Sequence, residues 1–586
     1  MAIPQQRVCQ TSSITSPIGG WNARDSISAM PPTDAVSLVN FYPTPTFVQI
    51  RRGYTRYSTG INGQVNTLMT YSGLNDQRMF ASAGFTLYKV DQPIAEPVLD
   101  IENDKFSFVN ISNAGGNYMV ACNGEETLIY DGANNRWVKM AGTNTPSAIT
   151  SITHIGTQAT VNCTTPHGLV NGNYVVMSGV DVAQYNGTFM VTVLDADSFR
   201  YTMATAPATD PTIFGSYTII YGSFGSNPNN FIQVNLFKNR LYFVEKETLN
   251  AWYLPLDSIS GELKPLYFGG IATQGGKLQA MGTWTLDAGQ GADDYAVWAT
   301  SMGEVIVFNG TDPNSTTDWA LKGVWQFGYV FNNRCFYKFG GDLLLMSQDG
   351  LIPLTGSLQS SRLDPRVFLT DKIFYEISQQ VQFNSERFGW QILYYAKPNM
   401  LIINIPDPNG TKQFVMHNIS KAWSSFEGIN AACWELKYDQ CYFGGDGYVG
   451  QFWESGSDDG ELISATCQQA YSYFDMVGQQ KRFTMVRPTF FIDAGVPAYF
   501  AAINTDFNSN NYLGKVIFNP DFTSVGVWDV AIWDQSVWGG SFTPFSEWTG
   551  VQGIGYAAGV NISIISKDTE IRWVSTDYVM EKGGVV

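Results

Sequence analysis

The chain reads as an all-β protein organised around a β-propeller of about seven blades, and three observations predict this. A hairpin pattern recurs along the chain, its spacing matches that of propeller blades, and the composition favours strands and turns. The pattern is clearest in QCYFGGDGYVGQFW (Gln440–Trp453), where two short apolar runs flank Gly444-Gly445-Asp446-Gly447, residue types that supply the positive-φ positions of a tight turn. It returns in Met79–Val90, Met119–Tyr130, Leu241–Leu254, Ala296–Phe308, Leu343–Leu354 and Leu401–Met416.

Taking one turn residue from each copy (Gly84, Gly124, Glu247, Gly303, Gly350, Gly410, Gly447), subtraction gives intervals of 40, 123, 56, 47, 60 and 37 residues. A four-stranded blade takes about 40 to 50 residues, so only the long interval needs an insertion. An unclosed all-β sandwich with look-alike hairpins is the alternative. With 57 Gly, 25 Pro and 14% aromatic residues, the 586-residue chain is rich in strand and turn formers and poor in long Ala/Glu/Lys/Leu runs.

In chain order, residues 1–60 form an extended N-terminal segment. Pro31, Pro32, Pro43 and Pro45 disfavour helix and remove ladder donors, yet Trp21, Phe41, Tyr42, Phe47 and Ile50 are unfavourable in water, so the segment must pack on something. Residues 61–144 are the first part of the propeller. Residues 145–216 account for the long interval as an inserted small β-domain, because strand-like runs alternate with turn residues such as His167-Gly168 and Asn186-Gly187. The propeller resumes over 217–460 and ends in a polar linker, Glu454–Gly460; residues 461–586, with Trp528, Trp533, Trp538 and Trp548, read as a C-terminal β-sandwich-like region.

Charge and cysteine content narrow the function classes. The formal charge of −17 argues against binding nucleic acid through counterion release, while leaving room for an acidic wall past which a duplex slides. Solubility alone also accounts for such acidity. Seven cysteines without a Cys-x-x-Cys pair do not suggest a disulfide framework. The N-terminal residues lack a charged region followed by an apolar run, and no apolar run approaches 18 residues; the expectation is synthesis in a cytoplasm without a membrane span.

No catalytic or metal constellation stands out, and no cofactor is expected. His154, His167 and His417 lack metal-ligand spacing, and there is no Gly-x-Ser-x-Gly elbow, P-loop or His-Glu-x-x-His. A glycosidase needs two carboxylates about 5 to 9.5 Å apart. Asp293-Asp294 and Asp458-Asp459 are adjacent pairs, which on a strand point to opposite faces. The Ser-x-Asp-x-Gly-x-Thr-Trp box of sialidase propellers is absent, Ser347-Gln348-Asp349-Gly350 being the nearest approach. Asp407-Pro408-Asn409-Gly410 and Asp446-Gly447 are explained by turn chemistry without calcium. Arg51, Arg52 and Arg56 beside Tyr54 and Tyr57 have the composition of a protein contact more than of a DNA contact.

The two ends carry a resemblance. Gly20-Trp21-Asn22-Ala23-Arg24-Asp25, Met30-Pro31-Pro32-Thr33-Asp34-Ala35, Asn40-Phe41-Tyr42-Pro43 and Arg51-Arg52-Gly53-Tyr54 resemble the N-terminus of the tail nozzle proteins (tail tubular protein B) of short-tailed bacteriophages. Val574-Ser575-Thr576-Asp577 and Glu581-Lys582-Gly583-Gly584-Val585 resemble their closing strand, and segments similar to the insert occur in many phage tail proteins. The resemblance implies a structural virion protein, made in the host cytoplasm. It implies a homo-hexameric ring at the distal end of the tail, docked to the adaptor (head-to-tail connector) ring and to tail fibres or a needle, through which double-stranded DNA passes without specific binding. Interface candidates are Trp21, Arg24, Asp25, Phe41, Tyr42, Arg51, Arg52, Tyr54 and Arg56. The reading from another class is a glycan-binding or glycan-cleaving propeller of a phage particle.

Overall fold

The computed structural model describes residues 9–113, 115–140, 146–169, 171, 173–220, 227–259, 261–287, 292–358, 365–493, 497–508 and 542–585. The fold is all-β in the manner of a β-propeller with additions, and it divides into two compact units: Gly60–Leu363, and Met1–Thr59 together with Asp364–Val586.

The continuous unit holds five antiparallel meanders. The first is completed by Gln77–Ala83, Thr86–Lys89 and Glu96–Asp100 on the far end of the long strand Gly53–Ser72. The second runs from Ser107–Asn113 to Arg136–Lys139, the third from Phe231–Phe237 to Lys264–Tyr267, and the fourth from Leu278–Asp287 to Ala320–Gln326, each with four strands. The fifth has three described strands, Phe336–Phe339, Asp342–Ser347 and Gly350–Pro353. The other unit holds two more: a sixth over Gln391–Tyr395, Met400–Ile405, Lys412–His417 and Trp423–Phe426, and a seventh over Cys433–Lys437, Gln440–Gly444 and Asp446–Ser455.

All seven turn residues picked from the sequence lie at the turn between the second and third strands of a different meander. Each has positive φ, from 59° at Gly84 to 121° at Gly410. Glu247, at 59°, is the one non-glycine among them. Left-handed backbone is the common requirement, and glycine meets it at least steric cost.

Neighbouring meanders are joined by a repeated device. Gln233, on the first strand of the third meander, donates through Nε2 to the Met281 carbonyl (2.9 Å) and accepts the Met281 N–H through Oε1 (3.0 Å). Gln391 grips the backbone of Trp434 the same way, at 2.7 and 2.8 Å. Asn110 spans the Thr70 carbonyl (2.9 Å) and the Ser72 N–H (3.2 Å). An amide side chain thus imitates a ladder rung where two sheets meet, satisfying backbone groups that no strand reaches.

Within the continuous unit, Val330–Arg334 crosses the first strands. The Val330 carbonyl accepts from Gln279 Nε2 (3.1 Å), and Asn333 Nδ2 donates to the Ile232 carbonyl (2.9 Å). Arg334 Nη2 donates to Thr67 Oγ1 (2.9 Å) and to the Phe106 carbonyl (3.0 Å). One short segment therefore ties four sheets together.

The inserted domain is a closed six-stranded barrel from Ser147–Ile155 to Phe214–Ile220, between the second and third meanders. Ala159, Val161, Val175, Tyr185 and Phe199 fill its interior. Trp528, Trp533 and Trp538 lie outside the described residues.

The C-terminal sandwich takes up the N-terminal segment. In one sheet Ile571–Val585 is flanked by Gln479–Ile492 on one side and by Cys9–Thr15 and Val48–Ile50 on the other. In the facing sheet Asp34–Val39 pairs with Ile463–Gln469, followed by Ala558–Ser566 and Ala498–Thr505. Phe41, Val48, Val486, Phe490, Ile562 and Trp573 lie in the shared core. Of the aromatic residues that had to pack on something, Phe41 meets Trp573 (6.2 Å) and Phe47 lies under Arg572 (4.8 Å) at the other end of the chain. The helix Phe374–Asn384, which the all-β reading did not anticipate, buries Ile377 and Val381.

Candidate functional site

The residues that carry the resemblance converge on the unit that contains both termini, and three arginines organise them. Arg51 is buried. Its Nη1 and Nη2 meet Asp458 Oδ1 and Oδ2 at 2.8 and 2.6 Å, its Nε donates to Asn40 Oδ1 (2.9 Å), and Nη2 also reaches the Glu427 carbonyl (2.9 Å). Two parallel charge-assisted bonds make this a strong and directional pair. Arg52 Nη2 donates to Glu570 Oε2 (2.8 Å), and Arg56 Nε lies 2.9 Å from Asp459 Oδ2. The expected protein contact of these arginines is thus matched by acids of the same chain, although Arg52 and Arg56 remain about half exposed, at 46% and 53% of the side chain.

Gly53 and Tyr54 complete the motif. A side chain at Gly53 would overlap the Ser457 carbonyl, so the close approach of the two backbones requires glycine. Tyr54 N–H donates to that carbonyl (3.1 Å), and its ring stacks on Tyr448 (6.1 Å) and meets Phe443 edge-on (4.9 Å). Arg56 lies over the Tyr448 ring at 4.8 Å. The stretch read from sequence as a polar linker, Glu454–Gly460, is in fact the clasp: Asp458 and Asp459 hold Arg51 and Arg56.

The remaining candidates divide by burial. Phe41 and Tyr42 are buried within the chain, Tyr42 against His417 (5.5 Å) and Trp453 (5.4 Å), with its hydroxyl donating to the Pro398 carbonyl (2.8 Å). Burial raises the Tyr42 phenol well above its usual range. Trp21 packs edge-on against Phe414 at 5.1 Å. Arg24 and Asp25 are more open. Arg24 Nε meets Asp25 Oδ1 at 2.8 Å and Nη1 meets Asp371, and Arg24 with Asn22 holds the Asp25 carboxyl below the usual range. Asn22 also reaches Asp34 (2.8 Å), which Lys372 approaches at 3.2 Å.

Positions weighed for chemistry are occupied structurally. Asp349 accepts the Gly328 N–H (2.9 Å), Asp294 accepts the Thr285 hydroxyl (2.8 Å), and the Asp293 side chain lies outside the described residues. Asp407 caps its own turn by accepting the Asn409 N–H (2.8 Å). His167 accepts from the Leu169 N–H and faces the Asp195 and Ser198 carbonyls through Nε2, while His154 Nδ1 faces both Asp210 (2.5 Å) and Tyr185 (2.8 Å). A cavity of about 720 Å³ is lined by Asn113 of the second meander, His167, Asn171 and Asp195 of the inserted domain, and Asp257 among others. Asn113, His167 and Asn171 already bond to their own surroundings. Among the described residues, no three His, Cys, Asp or Glu side chains gather as metal ligands, and no helix is long and apolar enough to cross a membrane.

No protein-family model matches the chain, and no curated protein matches it. Among solved structures, YCF48 bound to D1 peptide is similar at 10% identity over 72% of this chain and 99% of that one, with a TM-score of 0.27. The Myceliophteria thermophila Cps50 (Swd1) β-propeller domain is similar at 8% identity over 68% and 99%, TM-score 0.26. The phage phi92 endosialidase is similar at 15% identity over 69% of each chain, TM-score 0.27.

Proposed function

We propose that the chain is a structural component of a short-tailed phage virion, the nozzle at the distal end of the tail through which the genome leaves. What supports the reading is that the two ends that carry the resemblance, far apart in the chain, share one sandwich: Ala35 and Phe41 lie in one core with Trp573 and Tyr578, and the Ser16 N–H, just ahead of the first motif, donates to the Val574 carbonyl (2.8 Å). Residues of the N-terminal motifs fill demanding places in that same sandwich and clasp, which is what a family signature in a structural protein consists of. In this reading six copies ring a channel and dock to the adaptor ring and to fibres or a needle. Their combined formal charge is roughly −100, six times −17, so a wall carrying much of it repels the duplex and lets it slide. The chain positions and releases DNA and catalyses nothing.

Electron microscopy of the purified protein and of the particle tests this. The expected result is a six-membered ring at the tail tip with an acidic lumen. A chain that stays monomeric in assembled virions, a basic lumen, or polysaccharide turnover abolished by a single Asp→Asn or Glu→Gln change in a folded protein overturns it.

A further inference from the structure

The strand Cys9–Thr15 borders the C-terminal sheet, and its outer edge pairs with no other described strand. The Ser16 N–H donates to the Val574 carbonyl (2.8 Å), which fixes the alternation. Gln10, Ser12 and Ile14 turn their backbone groups toward Ile571–Val585, and Cys9, Thr11, Ser13 and Thr15 turn theirs away. Of the outward groups the Thr15 carbonyl is taken by Gln469 Nε2 (2.7 Å). The side chains of the same four residues are exposed, so no described residue covers this edge from the solvent face.

The outer strands of four meanders are guarded. The outer strand of the first meander carries Pro97 and a register shift, and that of the third carries Lys264 and Pro265. The second ends in a strand with Arg136 and Lys139, and the fourth in one with Lys322 and a bulge. Proline, charge and bulges are the usual means of preventing edge-to-edge pairing. Cys9–Thr15, sequence CQTSSIT, has none of them, and its register with the neighbouring strand is unbroken over all seven residues.

We propose that this edge docks the same strand of a second copy of the chain, adding Cys9–Thr15 of the partner copy antiparallel to its own. The exposed row of N–H and C=O groups is complemented by another β-strand. Charge selects a second copy. Two chains of formal charge −17 repel in general, but this border is locally neutral. The strand is uncharged, and the acids facing it on the next strand, Glu581 opposite Cys9 and Asp577 opposite Ser13, have arginine partners in Arg482 (3.6 Å) and Arg487 (2.6 Å). The inference stands on strand geometry and is independent of the virion reading, since ring contacts made elsewhere would survive changes in this strand.

Sedimentation of the full chain across a concentration series, with Ser13→Pro, Ser12→Pro and the double variant Thr11→Lys/Ser13→Lys, tests it. Ser13→Pro removes an outward N–H and leaves the internal ladder intact; the lysine pair keeps every donor and sets like charges across the docked strands. Both should weaken self-association at least about tenfold with unfolding midpoints near that of the wild type. Ser12→Pro, whose N–H faces inward, should lower the midpoint instead. Amide exchange at Thr11 and Ser13 should slow as wild-type concentration rises. A wild type that remains monomeric, or self-association and amide exchange that ignore both outward variants, overturns the proposal.

Discussion

Arg51 and Asp458 form a bidentate pair whose guanidinium is 1% exposed, across a sequence separation of 407 residues. Removing one partner leaves the other charged and buried, which typically costs about 3–5 kcal/mol. Arg51→Ala and Asp458→Asn should each lower the chemical-denaturation midpoint by that order. Joint replacement by apolar residues should restore much of it, and a double-mutant cycle reads the difference.

Gly53→Ala should be destabilising although alanine is small, because the added methyl meets the Ser457 carbonyl. Overpacking of this kind costs about 1–3 kcal/mol. Gly63→Ala, where the added methyl meets nothing but φ is 95°, isolates the cost of conformation alone. Thermal unfolding of the two variants separates overlap from backbone strain.

Arg334→Ala should loosen the continuous unit more than a typical surface change, since it removes bonds to Thr67 and to the Phe106 carbonyl together. About 3–6 kcal/mol is expected for two bonds from a charged donor. Hydrogen exchange should report the loss first at the strands beginning the first and second meanders.

His417 gives stability a pH dependence of definite sign. Burial and the nearby Lys421 lower its pKa from the ordinary 6.5, so the unfolded chain takes up a proton more readily than the folded one. Stability is therefore full above about pH 6.5 and declines as pH falls through the window between 6.5 and the lower folded value. His417→Gln should flatten that slope in acid denaturation; an unchanged slope would assign it to other groups.

The meanders were legible because their signal is local: each needs a left-handed residue between two apolar runs, and Gly84 or Gly447 announces it within a dozen residues. The insert's strand-like runs and turn residues are local in the same way, but their closure into a barrel was not read from them. The partners of Arg51 and Cys9–Thr15 were not, because nothing local to them names Asp458 or Ile571–Val585. Glu454–Gly460 looked like a linker because clasp residues and solvated residues share a polar composition. The helix Phe374–Asn384 did leave a trace, Ile373, Ile377 and Val381 at four-residue spacing inside the 60-residue interval before Gly410, obscured by surrounding strand patterns.

The pairing of the first described strand with the last sets an order of synthesis. Residues 60–363 form a continuous unit that can fold while the ribosome is still at work, but Cys9–Thr15 has no strand neighbour, and Val48–Ile50 none beyond Phe41–Pro43, until Ile571–Val585 has been made. Until then the emerging N-terminal region waits with Phe41, Val48 and Ile50 uncovered, and a chain terminated early would carry those residues without their core. Completion of the terminal unit thus waits for the synthesis of Ile571–Val585, more than 500 residues after the strands it joins.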